Sequence, residues 1–184
     1  MAIRSEYSNV SISNTLFKDN FIEDHAWSLI RGLESEIIIN ASEITNNSYR
    51  HCGISNSGQT IIRNSLIHSN YNTSETGGIV ICTGNYVEIS GSTIADNISG
   101  SGILGSGDPT ETVNIINSII YNNIYQAPSM IGASGVNVSY SIIQEGESFF
   151  DNEYPGNALN WLDGNINLDP QFNEDYTLQP SSPC

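Results

Sequence analysis

The chain has 184 residues, five Lys and Arg against 20 Asp and Glu, and a net charge of −15. That balance excludes strong attraction to nucleic acid or to an anionic membrane surface, and it disfavours polyanionic glycans unless a cation mediates. No stretch is long and apolar enough for a membrane span, and no signal peptide precedes the first structured residues, so any export signal is expected to lie outside these residues.

Read in chain order, an eleven-residue unit recurs six times. The first is Val10–Asn20. A short apolar run, Ser28-Leu29-Ile30, leads to the second, Ile37–Asn47; Gly53-Ile54 leads to the third, Thr60–Asn70. Gly78-Ile79-Val80-Ile81 leads to the fourth, Val87–Asn97; Gly102-Ile103-Leu104 to the fifth, Val113–Asn123; Ser129-Met130-Ile131 to the sixth, Val136–Gly146. Successive starts lie 23 to 27 residues apart, the period of a solenoid.

The positions within the unit explain why the copies stack. Position three is always apolar (Ile12, Ile39, Ile62, Ile89, Ile115, Val138), and so is position eight (Phe17, Ile44, Ile67, Ile94, Ile120, Ile143). Position one is apolar except at Thr60, and position six is always Ser or Thr. Positions one and three alternate as one face of a strand, positions six and eight as a face of a second. The phase slips between them, so the chain must bend at position five, where Asn14, Asn64, Gly91 and Asn117 tolerate left-handed backbone angles. Spacing of two among Ile and Val does not make a helical stripe, and a hairpin sandwich gives no reason for one residue type to return at one position in every copy. The expected fold is all-β: a right-handed parallel β-helix of six to seven coils with three strands per coil, a rod roughly 30 Å long.

Position eleven is Asn20, Asn47, Asn70, Asn97 and Asn123, with Gly146 in the sixth copy. These five read as a stacked asparagine ladder that holds turn backbone, a structural role. The coils are assigned to residues 1–146 and a loop-rich cap to 147–184. In the cap, Phe149, Phe150, Tyr154, Leu159, Trp161 and Leu162 are expected to cover the apolar cross-section that a solenoid leaves at its end. The first unit starts so early that the upper end has little to cover it, which suggests the C-terminal piece of a longer β-helix. Cys52 and Cys82 flank neighbouring Gly-Ile strands; whether they pair is left open.

The closing run Gly164–Cys184 holds Asp169-Pro170-Gln171-Phe172, Asp175-Tyr176-Thr177-Leu178 and Ser182-Pro183-Cys184. It resembles the closing segment of bacterial secreted right-handed β-helix repeat proteins. Those belong to the pectin-lyase-like superfamily and include choice-of-anchor and polymorphic outer-membrane-type surface proteins. The Ile-Asp-x-Gly that usually follows is not present. The coils also resemble the family's Asn-Ser-x-Ile-x-x-Asn units. The resemblance implies the β-helix and a bacterial extracellular or cell-surface setting; the superfamily holds lyases, hydrolases, adhesins and stalks, so it implies no single function.

The residues themselves assign no catalytic group. Those after the strand glycines (Ile54-Ser55, Ile79-Val80, Ile103-Leu104) supply neither a carboxylate pair nor a base. Asp19 and Asp96 share a repeat position three coils apart, about 14 Å, too far to act on one atom. Arg63 and His68 lie in one coil and could flank a groove. Asp163, Asn165, Asn167 and Asp169 place oxygens at alternate residues, a pattern that would suit calcium, although the glycine and closing glutamate of an EF-hand are not in place. The favoured function is a non-catalytic surface module for adhesion or glycan contact, with specificity in the loops Tyr71–Thr76 and Ser99–Glu111. The alternative is a fragment of a polysaccharide lyase or glycoside hydrolase with its catalytic coils upstream.

Overall fold

The computed structural model describes residues 2–22, 28–72, 78–79, 84–100, 102–105, 112–125, 135–150 and 158–184. The chain is a parallel β-helix of about five turns rather than six or seven. The last copy is incomplete as a coil. The sixth runs from Ile142–Ile143 into a 3₁₀ turn, Gly146–Phe149, where the earlier copies enter a further strand.

That further strand is the main departure from the expected three per coil. Four sheets run along the solenoid. The first holds Ile3–Glu6, Ser28–Leu33 and Cys52–Asn56, the Gly-Ile positions of the sequence. The same line continues through hydrogen bonds from Gly53 N to Ile79 O and from Ile79 N to Ile103 O, and Ile30, Ile54, Ile79, Ile103 and Leu104 are all buried along it. The second sheet carries positions one to four of every copy, and the third carries positions seven to nine. The fourth consists of two-residue strands just after the ladder asparagine: Phe21–Ile22, Ser48–Tyr49, Tyr71–Asn72, Ile98–Ser99 and Ile124–Tyr125.

Two of the corners between these sheets are left-handed in every copy. At position five, Asn14, Ala41, Asn64, Gly91, Asn117 and Tyr140 all have φ between 47° and 55°. At position ten, Asp19, Asn46, Ser69, Asp96, Asn122 and Glu145 have φ between 53° and 70°. A left-handed residue reverses the pleat, so the side chains on both sides of a corner continue to point inward.

The interior is a column of aliphatic stacks. Ile39, Ile62, Ile89, Ile115 and Val138 are fully buried, and the register pairs them directly: Ile39 with Ile62, Ile62 with Ile89, Ile89 with Ile115, Ile115 with Val138. Burying each such side chain contributes roughly 1.5–3 kcal/mol. Thr60, the polar exception at position one, is equally buried because its Oγ1 accepts a hydrogen bond from Asn56 Nδ2 at 3.1 Å.

Two polar ladders tie the corners of neighbouring coils. Each ladder asparagine donates its backbone N–H and its Nδ2 to Oδ1 of the next: Asn20 to Asn47, Asn47 to Asn70, Asn70 to Asn97, and Asn97 to Asn123. Position six makes a second ladder. Its backbone N–H donates to the hydroxyl of the next coil, from Thr15 through Ser42, Ser65, Ser92 and Ser118 to Ser141, at 3.1–3.2 Å. Asn165 Oδ1 ends the series by accepting from Ser141 N.

The segment from 147 both covers and extends the stack. Phe149 and Phe150 are buried and meet edge to face at 5.0 Å, and Phe150 meets Trp161 at 6.5 Å. Leu159–Trp161 adds a seventh strand to the second sheet, and Ile166 bridges Ile142. Leu162 is exposed; Tyr154 lies outside the described residues.

Candidate ligand-binding face

The fourth sheet has one inward and one outward residue per strand. Inward, Ile22, Tyr49, Asn72 and Ser99 are buried. Tyr49 Oη donates to Ile79 O at 3.1 Å, and burial pushes its phenol far above the ordinary tyrosine range. Outward stand Phe21, Ser48, Tyr71, Ile98 and Ile124, each the register partner of the next. Four of the five are large apolar side chains left in solvent: Phe21 71 % exposed, Tyr71 48 %, Ile98 41 % and Ile124 63 %.

The ladder sets their spacing. The backbone N–H of Ser48, Tyr71, Ile98 and Ile124 each donates at 2.8 Å to the carbonyl of the ladder asparagine one coil earlier. The outward residues are therefore held in line at coil spacing, a stripe about 19 Å long. Phe21 and Tyr71 stand two coils apart, about 10 Å, with the small Ser48 between them. A row of apolar side chains on rigid backbone is a surface for stacking an extended ligand at low entropic cost.

A groove lies where the tail folds back over the corner between the second and third sheets. Phe172 and Leu178 bridge antiparallel, which presents Tyr176 to the coils. Its ring lies 4.4 Å from the ring of His68, and its hydroxyl donates to Asp96 Oδ2 at 2.6 Å. Partial burial, reinforced by Asp96, holds the Tyr176 phenol above its usual range. His68 Nε2 lies 3.0 Å from Glu43 Oε1. Beside this contact is a groove of about 620 Å³ whose lining includes Glu43, Asn64, Asp175 and Thr177. The Thr177 hydroxyl and backbone N–H keep the Asp175 carboxyl below the usual range.

The residues singled out from sequence are not brought together. Arg63 projects from the second sheet and pairs with Glu88 of the next coil at 2.8 Å. His68 projects from the third sheet, beyond the Asn64 corner, beneath Tyr176. Asp19 and Asp96 are left-handed corner residues. In the 163–169 run, the Asp163 carbonyl accepts from Tyr140 N, Asn165 Oδ1 from Ser141 N, Asn167 Oδ1 from Glu145 N, and Asp169 Oδ1 from Gln171 N. Those three side-chain oxygens thus already hold backbone amides. Among the described residues no group of three or more His, Cys, Asp or Glu is placed to hold a metal ion. Most of the loops 71–76 and 99–111 lie outside the described residues. Cys52 is disulfide-bonded and Cys184 is free; Cys82 lies outside the described residues.

The stripe occupies position twelve, one residue beyond the eleven-residue unit that recurrence marks out. Its signal is the apolar residue that follows four of the five ladder asparagines. None of the family models, curated proteins or solved structures compared with the chain matches it.

Proposed function

We propose that this protein is a non-catalytic surface module that contacts glycans through the outward stripe of its fourth sheet. The observation that carries the reading is the in-register row Phe21, Tyr71, Ile98 and Ile124, exposed on a backbone that the asparagine ladder holds rigid. Sugar rings in extended, equatorially linked chains expose apolar C–H faces, and aromatic side chains two coils apart offer platforms for alternate rings. The net charge of −15 selects against acidic polysaccharides, so the ligand class is a neutral glycan.

The disulfide at Cys52 supports an oxidising compartment, and with the family resemblance of the closing segment it favours a bacterial cell surface. Among the described residues no helix is long and apolar enough to cross a membrane. The alternative of a fragment of a polysaccharide lyase or glycoside hydrolase places its catalytic coils upstream; within this chain, Glu43 and Asp175 are carboxylates that line the tail-side groove.

The test is a neutral-glycan array probed with the purified protein, with and without millimolar calcium, and with reducing ends assayed on every hit. Binding without turnover is expected, weakened roughly tenfold by Phe21→Ala and again by Tyr71→Ala. A calcium requirement would give Asp163, Asn165, Asn167 and Asp169 a role in that contact. Wild-type silence, or binding that both variants retain, contradicts the stripe; turnover lost in Glu43→Gln would favour the enzyme reading.

A further inference from the structure

The outward residues of the fourth sheet alternate along the rod. Those of the first, third and fifth strands, Phe21, Tyr71 and Ile124, are the most exposed, at 71 %, 48 % and 63 %. Between them stand Ser48, small and partly buried, and Ile98, the least exposed of the four apolar members at 41 %. The register sets each residue directly above the last, so the most exposed groups recur every two coils, about 10 Å.

A second row runs beside the first. Two residues before each member of the stripe comes a left-handed corner residue: Asp19, Asn46, Ser69, Asp96 or Asn122. Each carries a hydrogen-bonding side chain, and the ladder asparagine between the two rows is already bonded to its neighbour in the next coil. Ser69 and Asp96 hold the Tyr176 hydroxyl, and Asn122 donates to Asp96. Asp19 and Asn46 are exposed, and among the described residues their side chains have no hydrogen-bond partner. Neither row contains a Lys or Arg.

We infer that the stripe takes a neutral β-1,4-linked glycan in its two-fold-screw form, laid along the rod with one ring per coil; this rests on the glycan-contact reading above. In such a chain each ring is turned over relative to the one before. The same C–H face therefore returns at every second ring, and two rings advance nearly as far as two coils. Rings over the odd coils stack on Phe21, Tyr71 and Ile124, while Ser48 leaves room for the hydroxymethyl group of an inverted ring. Hydroxyls along one edge of the chain donate to the Asp19 carboxylate and exchange hydrogen bonds with the Asn46 amide. An α-1,4 or β-1,3 chain coils, so a straight row of fixed platforms meets fewer of its rings unless the chain is straightened at an entropic cost. Asp19, Asp96 and the net charge of −15 repel a carboxylated chain of the same shape.

The experiment titrates the purified protein calorimetrically with cellohexaose, maltohexaose and laminarihexaose, and with cello-oligosaccharides of increasing length. Cellohexaose is expected to bind roughly tenfold tighter than either of the other hexaoses, or tighter still. Affinity should rise with each ring up to five, one for each strand of the fourth sheet, and then level off. Phe21→Ala, Tyr71→Ala and Ile124→Ala should each weaken cellohexaose more than Ile98→Ala does, and Asn46→Ala should weaken it about threefold. All five side chains are exposed, and an unchanged urea midpoint shows that a variant is folded. Equal affinity for the three hexaoses, preference for a coiled one, or equal losses at odd and even coils overturns the two-fold-screw assignment and leaves the glycan reading in place. So does silence toward cellohexaose when another neutral glycan binds. Silence toward every neutral glycan overturns both.

Discussion

Asn97→Ala is expected to lower stability by about 4 kcal/mol, a loss read from the urea midpoint of unfolding. Asn97 is fully buried at the centre of the ladder. Its Oδ1 accepts from Asn70 N and Nδ2, and its Nδ2 donates to Ile67 O, Ala95 O and Asn123 Oδ1 at 2.9–3.0 Å. Alanine leaves those partners facing a space too apolar to replace them. Each buried group so stranded costs about 1–3 kcal/mol, and two or three are stranded at once. The same substitution at Asn20 removes donors from one side only, at a partly exposed site, and should cost about 1 kcal/mol. Equal effects at the two positions would show that the amides do not act as a ladder. In a solenoid the central loss also weakens the interface on which the outer coils depend.

Gly58→Ala is expected to cost about 3 kcal/mol, while Gly135→Ala should be neutral or slightly stabilising. A Cβ on Gly58 would lie 2.1 Å from Ser35 O and 2.7 Å from Ser35 N, backbone that cannot swing aside as a side chain does. Ser35 would have to move, and Ser35 O accepts from Asn56 Nδ2 at 2.9 Å. Asn56 is fully buried and also holds Gln59 O, Thr60 Oγ1 and Gly58 N, so the displacement spreads through the corner between the first and second sheets. Strain of this kind sits at the upper end of the overpacking range. At Gly135 nothing lies within 4 Å of the added methyl, and the unfolded chain loses freedom, which favours the folded state by a fraction of a kcal/mol. Thermal unfolding of the two variants side by side decides this; equal melting temperatures would mean that the first corner is looser than its contacts indicate.

The stacked interior was legible because parallel coils must place like on like. Positions one, three and eight could be read as core, and the asparagines as a ladder, from recurrence alone. The position-five corner was legible from Asn14, Asn64, Gly91 and Asn117, and Ala41 and Tyr140 adopt the same left-handed angle because their neighbours on both sides impose it. The position-ten corner carried a mixed signal: Asp19, Asn46, Asp96 and Asn122 are of the Asn/Asp type that tolerates left-handed angles, whereas Ser69 and Glu145 are not, and the invariant asparagine beside them at position eleven drew the turn assignment. Without that corner the fourth sheet could not be foreseen, and the outward stripe went with it. The return of the tail was also out of reach. Tyr176 meets Ser69 and Asp96 across 107 and 80 residues, contacts between single side chains that no periodicity encodes.

The central claim is that successive copies lie in parallel register, one directly above another. Methyl-labelled NMR of the isoleucines tests it most directly. The account predicts cross-relaxation from Ile62 to both Ile39 and Ile89, and from Ile89 to Ile115, following the register of the second sheet. Contacts joining Ile62 to a residue on an antiparallel neighbour, with Ile39 and Ile89 remote from it, would contradict the coil stack and with it the ladder and the stripe.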